Sequence, residues 1–225
     1  MKKLIAWITL SWAIIMLTFN VVIADEYLLN LNNIKVDLSA ALNNGWNLDK
    51  YYNDNVDIYQ GEYLRATLTN GRAYLWKDVV PPADTTAIVI EYDAAIQYSY
   101  WGQNTGVYLV MNNGTQFQFG SGMNGCCDNK NLHQFYINKN NDRLSHILTN
   151  LHYGVYHYTV IFSEEEITVQ VENENGQIVY NAVIDAPGLH PMDVTKIKYW
   201  VYTTTDNNSW MKNLEYGFIH HEKVE

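Results

Sequence analysis

Two acidic residues separated by a single position, Glu91 and Asp93, are the pair in this sequence best placed for acid–base chemistry. They lie in the run T-A-I-V-I-E-Y-D, whose β-branched and aromatic residues predict a strand. Side chains alternate along a strand, so both carboxylates are expected on one sheet face. Because paired carboxylates supply the acid and the base or nucleophile in glycoside hydrolysis, Glu91 and Asp93 are candidate catalytic residues. A solvated strand face is the alternative.

Aromatic residues in polar surroundings indicate a different chemistry. Tyr98, Tyr100 and Trp101 lie in the turn-like segment Q-Y-S-Y-W-G-Q-N, and Trp76, Trp200, Tyr202 and Trp210 lie near predicted strand ends. The apolar C–H faces of sugar rings stack on such rings, while amides and carboxylates bind the hydroxyl groups. The alternative is that most of these rings belong to the core. The candidate ligand-binding residues are Tyr98, Tyr100, Trp101, Gln103, Asn104, Asn124 and Asp128.

The segment Gly120–Gly125 matches G-x-G-x-x-G, but Cys126 and Cys127 follow it where a dinucleotide site needs a helix. The glycines therefore predict a loop that a ligand can approach closely, or a plain turn at the sheet edge. Cys126 and Cys127 are the only cysteines, and a vicinal disulfide between them is one expectation. Such a bridge would be strained, because neighbouring Cα atoms lie about 3.8 Å apart. Two free thiols or bridges to another chain are the alternatives.

No cofactor is expected from the sequence. Its seven histidines are scattered and lack the spacing of a metal site, and no G-x-S-x-G nucleophile motif is present. Oxygen-rich turns offer candidate ligands for a structural calcium ion, with ordinary Asx turns as the alternative. These turns are Asp128–Asn131, Asn138–Asp142 and Asp206–Asn208.

The first 24 residues predict an export signal: Lys2 and Lys3 precede a long uncharged run, and Val22-Ile23-Ala24 offers a cleavage site. An uncleaved membrane anchor is the alternative. The whole chain carries 24 acidic and 14 basic residues and a net charge of -10. This acidity argues against a nucleic-acid partner. We expect a secreted or surface-displayed protein.

Strand patterns dominate the remaining chain, and no amphipathic helix is found. Asn70-Gly71, Asn113-Gly114 and Asn175-Gly176 each separate two strand-like runs and predict type I′ hairpins. Along I-T-V-Q-V-E, the apolar residues Ile167, Val169 and Val171 alternate with polar ones. One-sided strands of this kind need a second sheet to cover them. No linker or repeat divides the chain, so residues 25–225 are predicted to form one antiparallel β-sandwich of the jelly-roll type.

The segments G-V-Y-H-Y-T-V-I-F (154–162) and I-T-V-Q-V-E-N-E-N-G-Q-I-V-Y (167–180) together resemble a hairpin of concanavalin A-like lectin/glucanase domains, a superfamily that includes laminin G-like jelly rolls. N-S-W-M-K-N-L-E-Y-G-F-I (208–219) is similar to their closing strand. The resemblance implies a jelly roll, glycan handling and structural calcium. Jelly-roll glucanases carry E-x-D-x-E, but here Ala95 stands in place of the last acid, so no residue inherits its role.

Three functions remain compatible with the sequence. The first is a non-catalytic module that binds an extracellular glycan or polysaccharide. The second is a polysaccharide-degrading hydrolase or lyase that uses Glu91 and Asp93, with Tyr100 or His133 as a further acid or base. The third is a structural extracellular subunit that self-associates through exposed sheet edges. The aromatic segments favour the first function.

Overall fold

Fifteen strands in two antiparallel sheets form the part of the chain that the structure describes. The computed structural model describes residues 27–51, 56–67, 71–96, 104–124, 132–149, 154–203 and 209–223. For residues 27–30, 96, 123–124, 132–133, 148–149 and 221–223 it describes only the backbone. No helix in these ranges is long and apolar enough to cross a membrane. The signal peptide predicted for residues 1–24 lies outside the described residues.

The strands follow one another in the chain as β1 (Tyr27–Lys35), β2 (Asn47–Tyr51), β3 (Val56–Tyr59), β4 (Tyr63–Ala66), β5 (Gly71–Asp78), β6 (Thr85–Ile96), β7 (Asn104–Met111), β8 (Gln116–Asn124), β9 (Leu132–Lys139), β10 (Asp142–Thr149), β11 (Gly154–Ser163), β12 (Glu166–Glu172), β13 (Ile178–Asp185), β14 (Val194–Thr203) and β15 (Ser209–Lys223). Two short 3₁₀ helices, Ala41–Asn44 and Pro191–Asp193, lie in connections.

The two sheets pack face to face, as predicted for a β-sandwich. The seven-stranded sheet has the order β10-β9-β8-β7-β14-β5-β2. The eight-stranded sheet has the order β13-β12-β11-β6-β15-β4-β3. In that sheet β1 pairs with the second half of β15, and β4 pairs with the first half. The strands of the predicted hairpin, β11 to β13, and the predicted closing strand β15 belong to this one sheet.

The alternation of side chains decides what faces the core. Ile167, Val169 and Val171 of β12 are buried, as the sequence predicted. Tyr199 and Val201 of the central strand β14 also face the other sheet and are fully buried. Aromatic rings fill much of the core, including a stacked pair, Tyr92 and Tyr158, with ring centres 4.7 Å apart. Each sheet therefore has an outer face that the other sheet does not cover.

Two of the three predicted Asn-Gly hairpins form, but with a different turn type. Asn113-Gly114 joins β7 to β8, and Asn175-Gly176 joins β12 to β13. Only the glycine of each pair has a positive φ, 82° for Gly114 and 70° for Gly176. The Gly114 N–H donates to the Met111 carbonyl, and the Gly176 N–H donates to the Asn173 carbonyl. These are type I turns followed by a left-handed glycine, so the type I′ prediction was wrong.

The hairpin predicted at Asn70-Gly71 was wrong altogether. β4 pairs with β3 and β15, whereas β5 pairs with β14 and β2 of the other sheet. The chain therefore crosses between the sheets here. A type I′ geometry is found instead at Asn140-Asn141 between β9 and β10, where φ is 49° and 74°. Asparagine tolerates this left-handed conformation better than most residues.

Candidate functional site

The outer face of the seven-stranded sheet contains a cleft of about 340 Å³, which we call the aromatic cleft. Three tyrosines line it: Tyr51 on the edge strand β2, Tyr74 on β5 and Tyr108 on β7. The Tyr74 ring centre lies 5.6 Å from that of Tyr51 and 6.1 Å from that of Tyr108. These rings occupy the outward positions of strands whose alternate residues, such as Leu75 and Leu109, are fully buried.

Trp200 of β14 is buried beside these rings and packs against two of them. Its ring centre lies 6.4 Å from that of Tyr74 and 6.0 Å from that of Tyr108. It pairs across the sheet with Gly106 of β7. A Cβ atom on Gly106 would come within 2.8 Å of the Trp200 Nε1 atom, so the absence of a side chain there gives the indole its place against the sheet. Within the described part of the chain this buried Nε1 has no hydrogen-bond partner.

A second glycine makes room for a second ring beside Trp200. Gly120 of β8 pairs with both Gly106 and Tyr136. A Cβ atom on Gly120 would come within 2.7 Å of the Tyr136 ring. Trp200, Gly106, Gly120 and Tyr136 thus occupy consecutive positions on four adjacent strands. The two glycines allow both aromatic rings to approach the backbone of the sheet.

Polar side chains complete the lining of the aromatic cleft: Asp49, Arg72, Gln116, Asn141 and Lys198. The Asp49 carboxylate accepts a hydrogen bond of 2.8 Å from Trp76 Nε1. Burial raises the pKa of Tyr74 and Tyr108 above the ordinary tyrosine value, so both hydroxyls stay protonated and can donate. The cleft therefore offers aromatic faces beside donors and acceptors.

An adjoining cleft of about 160 Å³ continues the same surface past Tyr108. It is lined by amides, including Gln118, whose side-chain oxygen accepts a hydrogen bond of 3.0 Å from Asn138 Nδ2. From β2 to β8 the two clefts cross five strands, about 19 Å at the usual strand spacing. That width suits an extended chain of sugar units better than a single ring.

Two of the predicted ligand-binding residues, Asn104 and Asn124, lie at strand ends in the seven-stranded sheet. Asn104, the first residue of β7, pairs with Gly122 near the end of β8 and with Tyr202 near the end of β14. Asn104 shares the outer face with Tyr108. Asn124 is the last residue of β8, and only its backbone is described. The predicted residues Tyr98, Tyr100, Trp101, Gln103 and Asp128 lie outside the described residues, as do Cys126 and Cys127 with their predicted disulfide.

The candidate catalytic pair lies on the opposite side of the molecule. Glu91 and Asp93 do share one face of β6, as predicted, but it is the outer face of the eight-stranded sheet. His157 Nδ1 bonds one Asp93 oxygen at 2.8 Å, and Asn213 Nδ2 donates to the other at 2.7 Å. The structure therefore does not bring this pair together with the aromatic cleft.

The electrostatics of this carboxylate pair differ between its two members. Burial raises the pKa of Glu91, and neighbouring Glu215 and Glu172 raise it further. Burial also acts to raise the pKa of Asp93, but the hydrogen bonds from His157 and Asn213 outweigh it, so the pKa is lowered. The bond to Asp93 raises the pKa of His157. Neither carboxylate lines a described cleft, and Asp93 is already bound by two partners.

A further cleft, of about 390 Å³, lies on the outer face of the eight-stranded sheet beside β15 and is lined in part by Tyr63 and Lys212. The Tyr63 ring meets that of Trp210 edge to face at 5.2 Å between centres. Its lining carries three carboxylates, Asp37, Glu62 and Glu215. It contains one aromatic ring, where the aromatic cleft has three, and therefore offers less stacking surface.

Within the described ranges, no group of three His, Cys, Asp or Glu side chains could hold a metal ion. Of the oxygen-rich turns considered for calcium, only Asn138–Asp142 is described. Asn140 Oδ1 accepts a hydrogen bond of 2.8 Å from the Gln116 backbone N–H, which is a turn contact between strands. The calcium ion expected at such turns stays a prediction. The other two turns lie outside the described residues.

The sequence analysis singled out Trp200 but missed Tyr51, Arg72, Tyr74 and Tyr108. A signal was present in G-R-A-Y-L-W-K-D, where Arg72, Tyr74 and Trp76 alternate with the small and apolar Ala73 and Leu75. Aromatic residues at the alternate positions that face away from the core indicate an aromatic outer face of the sheet.

No protein-family model matches the sequence, and no curated protein matches it either. Several solved structures, in contrast, are similar to this chain in fold. The CBM2 module of the evolved Dit of Lactobacillus casei BL23 phage J-1 aligns with a TM-score of 0.66 and 8% identity, over 85% of this chain and 98% of that one. Winged bean acidic lectin complexed with methyl-α-D-galactose aligns with a TM-score of 0.60 and 11% identity, over 86% of this chain and all of that one.

The lectin from Bauhinia forficata in complex with GalNAc aligns in the same way, with a TM-score of 0.59, 8% identity and coverage of 87% of this chain and 100% of that chain. At these identities the likeness concerns the fold, and it extends over nearly the whole length of each compared structure. The fold expected from the resemblance of β11 to β13 and β15 is confirmed. The protein has the concanavalin A-like jelly-roll fold.

Proposed function

We propose that this protein is a non-catalytic carbohydrate-binding module and that its binding site is the aromatic cleft. The observation that carries this proposal is the row of Tyr51, Tyr74 and Tyr108, whose successive ring centres lie 5.6 and 6.1 Å apart on an outer sheet face. The buried Trp200 packs against Tyr74 and Tyr108. Rings at this spacing present a continuous apolar surface on which the C–H faces of sugars can stack.

The polar lining supports the same function. Stacking alone does not orient a sugar, and binding sites add a few well-placed hydrogen-bonding groups to fix the ligand. Here Asp49, Gln116 and Asn141 supply acceptors and amide donors at the edges of the aromatic surface. The amides of the adjoining cleft extend this arrangement beyond Tyr108.

The compared structures support the proposal at the level of the fold. Several of them are lectins solved with a bound sugar, including methyl-α-D-galactose and GalNAc. A shared fold does not assign a function, so the proposal depends on the rings of this chain.

We also propose that the protein is secreted or displayed at the cell surface, because Lys2, Lys3 and the uncharged run after them have the form of an export signal.

A glycan array with the purified protein and two variants tests the proposal. Tyr108→Ala removes a ring from the aromatic cleft, and Tyr63→Ala removes a half-buried strand tyrosine from the opposite sheet as a matched control. We expect Tyr108→Ala to weaken binding at least about tenfold and Tyr63→Ala to leave it unchanged. Loss of binding by Tyr63→Ala alone would place the site on the other sheet. No binding to any glycan would refute the function.

A further inference from the structure

Two cations face the aromatic cleft, Arg72 of β5 and Lys198 of β14. Neither forms an ion pair with a carboxylate among the described residues. The one carboxylate of the cleft, Asp49, is held by the indole N–H of Trp76 at 2.8 Å. The cleft therefore has more positive charge than its own acidic residue balances.

Arg72 is held in place by aromatic contacts. Its guanidinium carbon lies 4.8 Å from the centre of the Tyr202 ring. Its Nε atom is buried and has no hydrogen-bond partner in the described part of the chain. A side-chain hydrogen bond also links Arg72 to Tyr74. A guanidinium has five N–H donors, so others remain for a planar anion such as a carboxylate or a sulfate.

Lys198 lies between aromatic residues on the same face, opposite Trp76 on β5 and Tyr108 on β7. Burial lowers its pKa, the neighbouring cation Lys196 lowers it further, and Asp49 acts in the opposite direction. Lys196 itself is paired with Asp78 at 3.3 Å. Lys198 is thus a partly desolvated ammonium group without an ion-pair partner, which an arriving anion would stabilise.

The positive charge of the aromatic cleft contrasts with the net charge of the whole chain, which is -10. The outer face of the eight-stranded sheet carries Glu91 and Asp93 on β6, Glu172 on β12 and Glu215 on β15. The two outer faces therefore differ in sign as well as in aromatic content. A cationic cleft in an acidic protein attracts anions locally while the remaining surface repels them.

We propose that the ligand of the aromatic cleft is an anionic glycan whose carboxylate or sulfate groups bind Arg72 and Lys198. The proposal rests on the carbohydrate-binding function above. Trp76, the cross-strand partner of Lys198, is four residues from Arg72 on β5, so the two cations lie about 13 Å apart along the strands. Tyr74 and Trp200 lie between them. The anionic groups that bind Arg72 and Lys198 are therefore on different sugar units, and the chain between them passes over Tyr74.

The experiment compares charged glycans with their neutral counterparts. The first pair is an oligogalacturonate and its methyl ester, in which the carboxylates are neutralised. The second pair is a κ-carrageenan oligosaccharide and its desulfated form, in which the sulfates are removed. Both pairs are added to the glycan array and titrated calorimetrically. We expect the charged member of a pair to bind at least about tenfold more tightly, with affinity falling as salt rises. The pair that shows the larger difference identifies the anion.

Variants connect the charge to the two residues. Arg72→Gln and Lys198→Gln should each weaken binding of the charged glycan about tenfold more than they weaken binding of its neutral counterpart. Lys212→Gln, on the opposite sheet, is the control and should change neither. If all bound glycans are neutral, or if the neutral forms bind equally well, the anionic ligand is refuted while the carbohydrate-binding function stands. If no glycan binds at all, the function itself fails.

Discussion

The indole of Trp200 lies beside the Cα atom of Gly106, its cross-strand partner, in space that any other side chain at position 106 would fill. A Cβ atom there would meet Trp200 Nε1 at 2.8 Å and would also contact the carbonyl oxygen of Phe119. The packing of Trp200 against the sheet therefore depends on a residue that has no side chain.

Gly106→Ala should destabilise the protein by about 1–3 kcal/mol, because the added methyl group overpacks against a backbone oxygen that cannot move away. Gly154→Ala is the matched control: its Cβ would have no neighbour closer than 3.5 Å and its φ is not positive. Urea unfolding of both variants measures the difference. Equal effects of the two substitutions would contradict the close packing around Gly106.

Removing the hydroxyl group should change the free energy of unfolding differently at two buried core tyrosines. Tyr92 Oη is buried without a hydrogen-bond partner among the described residues, whereas Tyr199 Oη donates to the Glu215 carbonyl at 2.8 Å. Tyr92→Phe should therefore raise the free energy of unfolding or leave it unchanged, and Tyr199→Phe should lower it by about 1 kcal/mol. A clear loss of stability in Tyr92→Phe would show that its hydroxyl has a partner.

The pair formed by Asp93 and His157 predicts a pH-dependent stability. The folded pKa of His157 lies above the ordinary value of 6.5, so its contribution is complete below pH 6.5 and is lost as the pH rises through the folded pKa. The pKa of Asp93 lies below 3.8, so its contribution is present above that value and is lost as the pH falls through the folded pKa. Both contributions are therefore complete between pH 3.8 and pH 6.5.

His157→Gln should thus lower the free energy of unfolding more at pH 5.5 than at pH 8.5. We expect a difference below about 1 kcal/mol, since the His157 side chain is 41% exposed and solvent screens the interaction. Glu91 and Glu172 face the same imidazole and contribute in the same direction. His146→Gln serves as a control, because burial lowers the pKa of His146 and predicts the opposite pH dependence. Identical profiles for the two variants would contradict the assignment.

Asp49→Asn should increase affinity for an anionic glycan several-fold. Asp49 is the only carboxylate among the described residues that line the aromatic cleft, and an asparagine oxygen in its place can still accept the hydrogen bond from Trp76. Titration of the same charged glycan against both proteins measures the change. Weaker binding by Asp49→Asn would show that the carboxylate itself binds the ligand.

The architecture of the fold was predictable because it depends on local patterns. The alternation of Ile167, Val169 and Val171 determines which face of β12 is buried, and this face needs a second sheet. The connection at Asn70-Gly71 was not predictable in the same way. An Asn-Gly pair favours a tight turn, but whether β4 and β5 pair depends on the long-range partners β15 and β14, which local sequence does not encode.

The site was less predictable than the fold. Glu91 and Asp93 were correctly placed on one strand face, but sequence alone does not show which sheet, or which side of it, β6 occupies. The aromatic cleft combines side chains from β2, β5, β7 and β14, which are adjacent only after the sheet has formed. The outward alternation of Arg72 and Tyr74 was visible in the sequence, whereas their proximity to Tyr108 was not.

The most direct test of the central claim is a crystal structure of the protein with the tightest-binding oligosaccharide from the array. We expect a sugar ring stacked on Tyr74 or Tyr108, with amide or charged side chains of the aromatic cleft bonded to its substituents. A ligand bound on the outer face of the eight-stranded sheet, with the aromatic cleft empty, would contradict it.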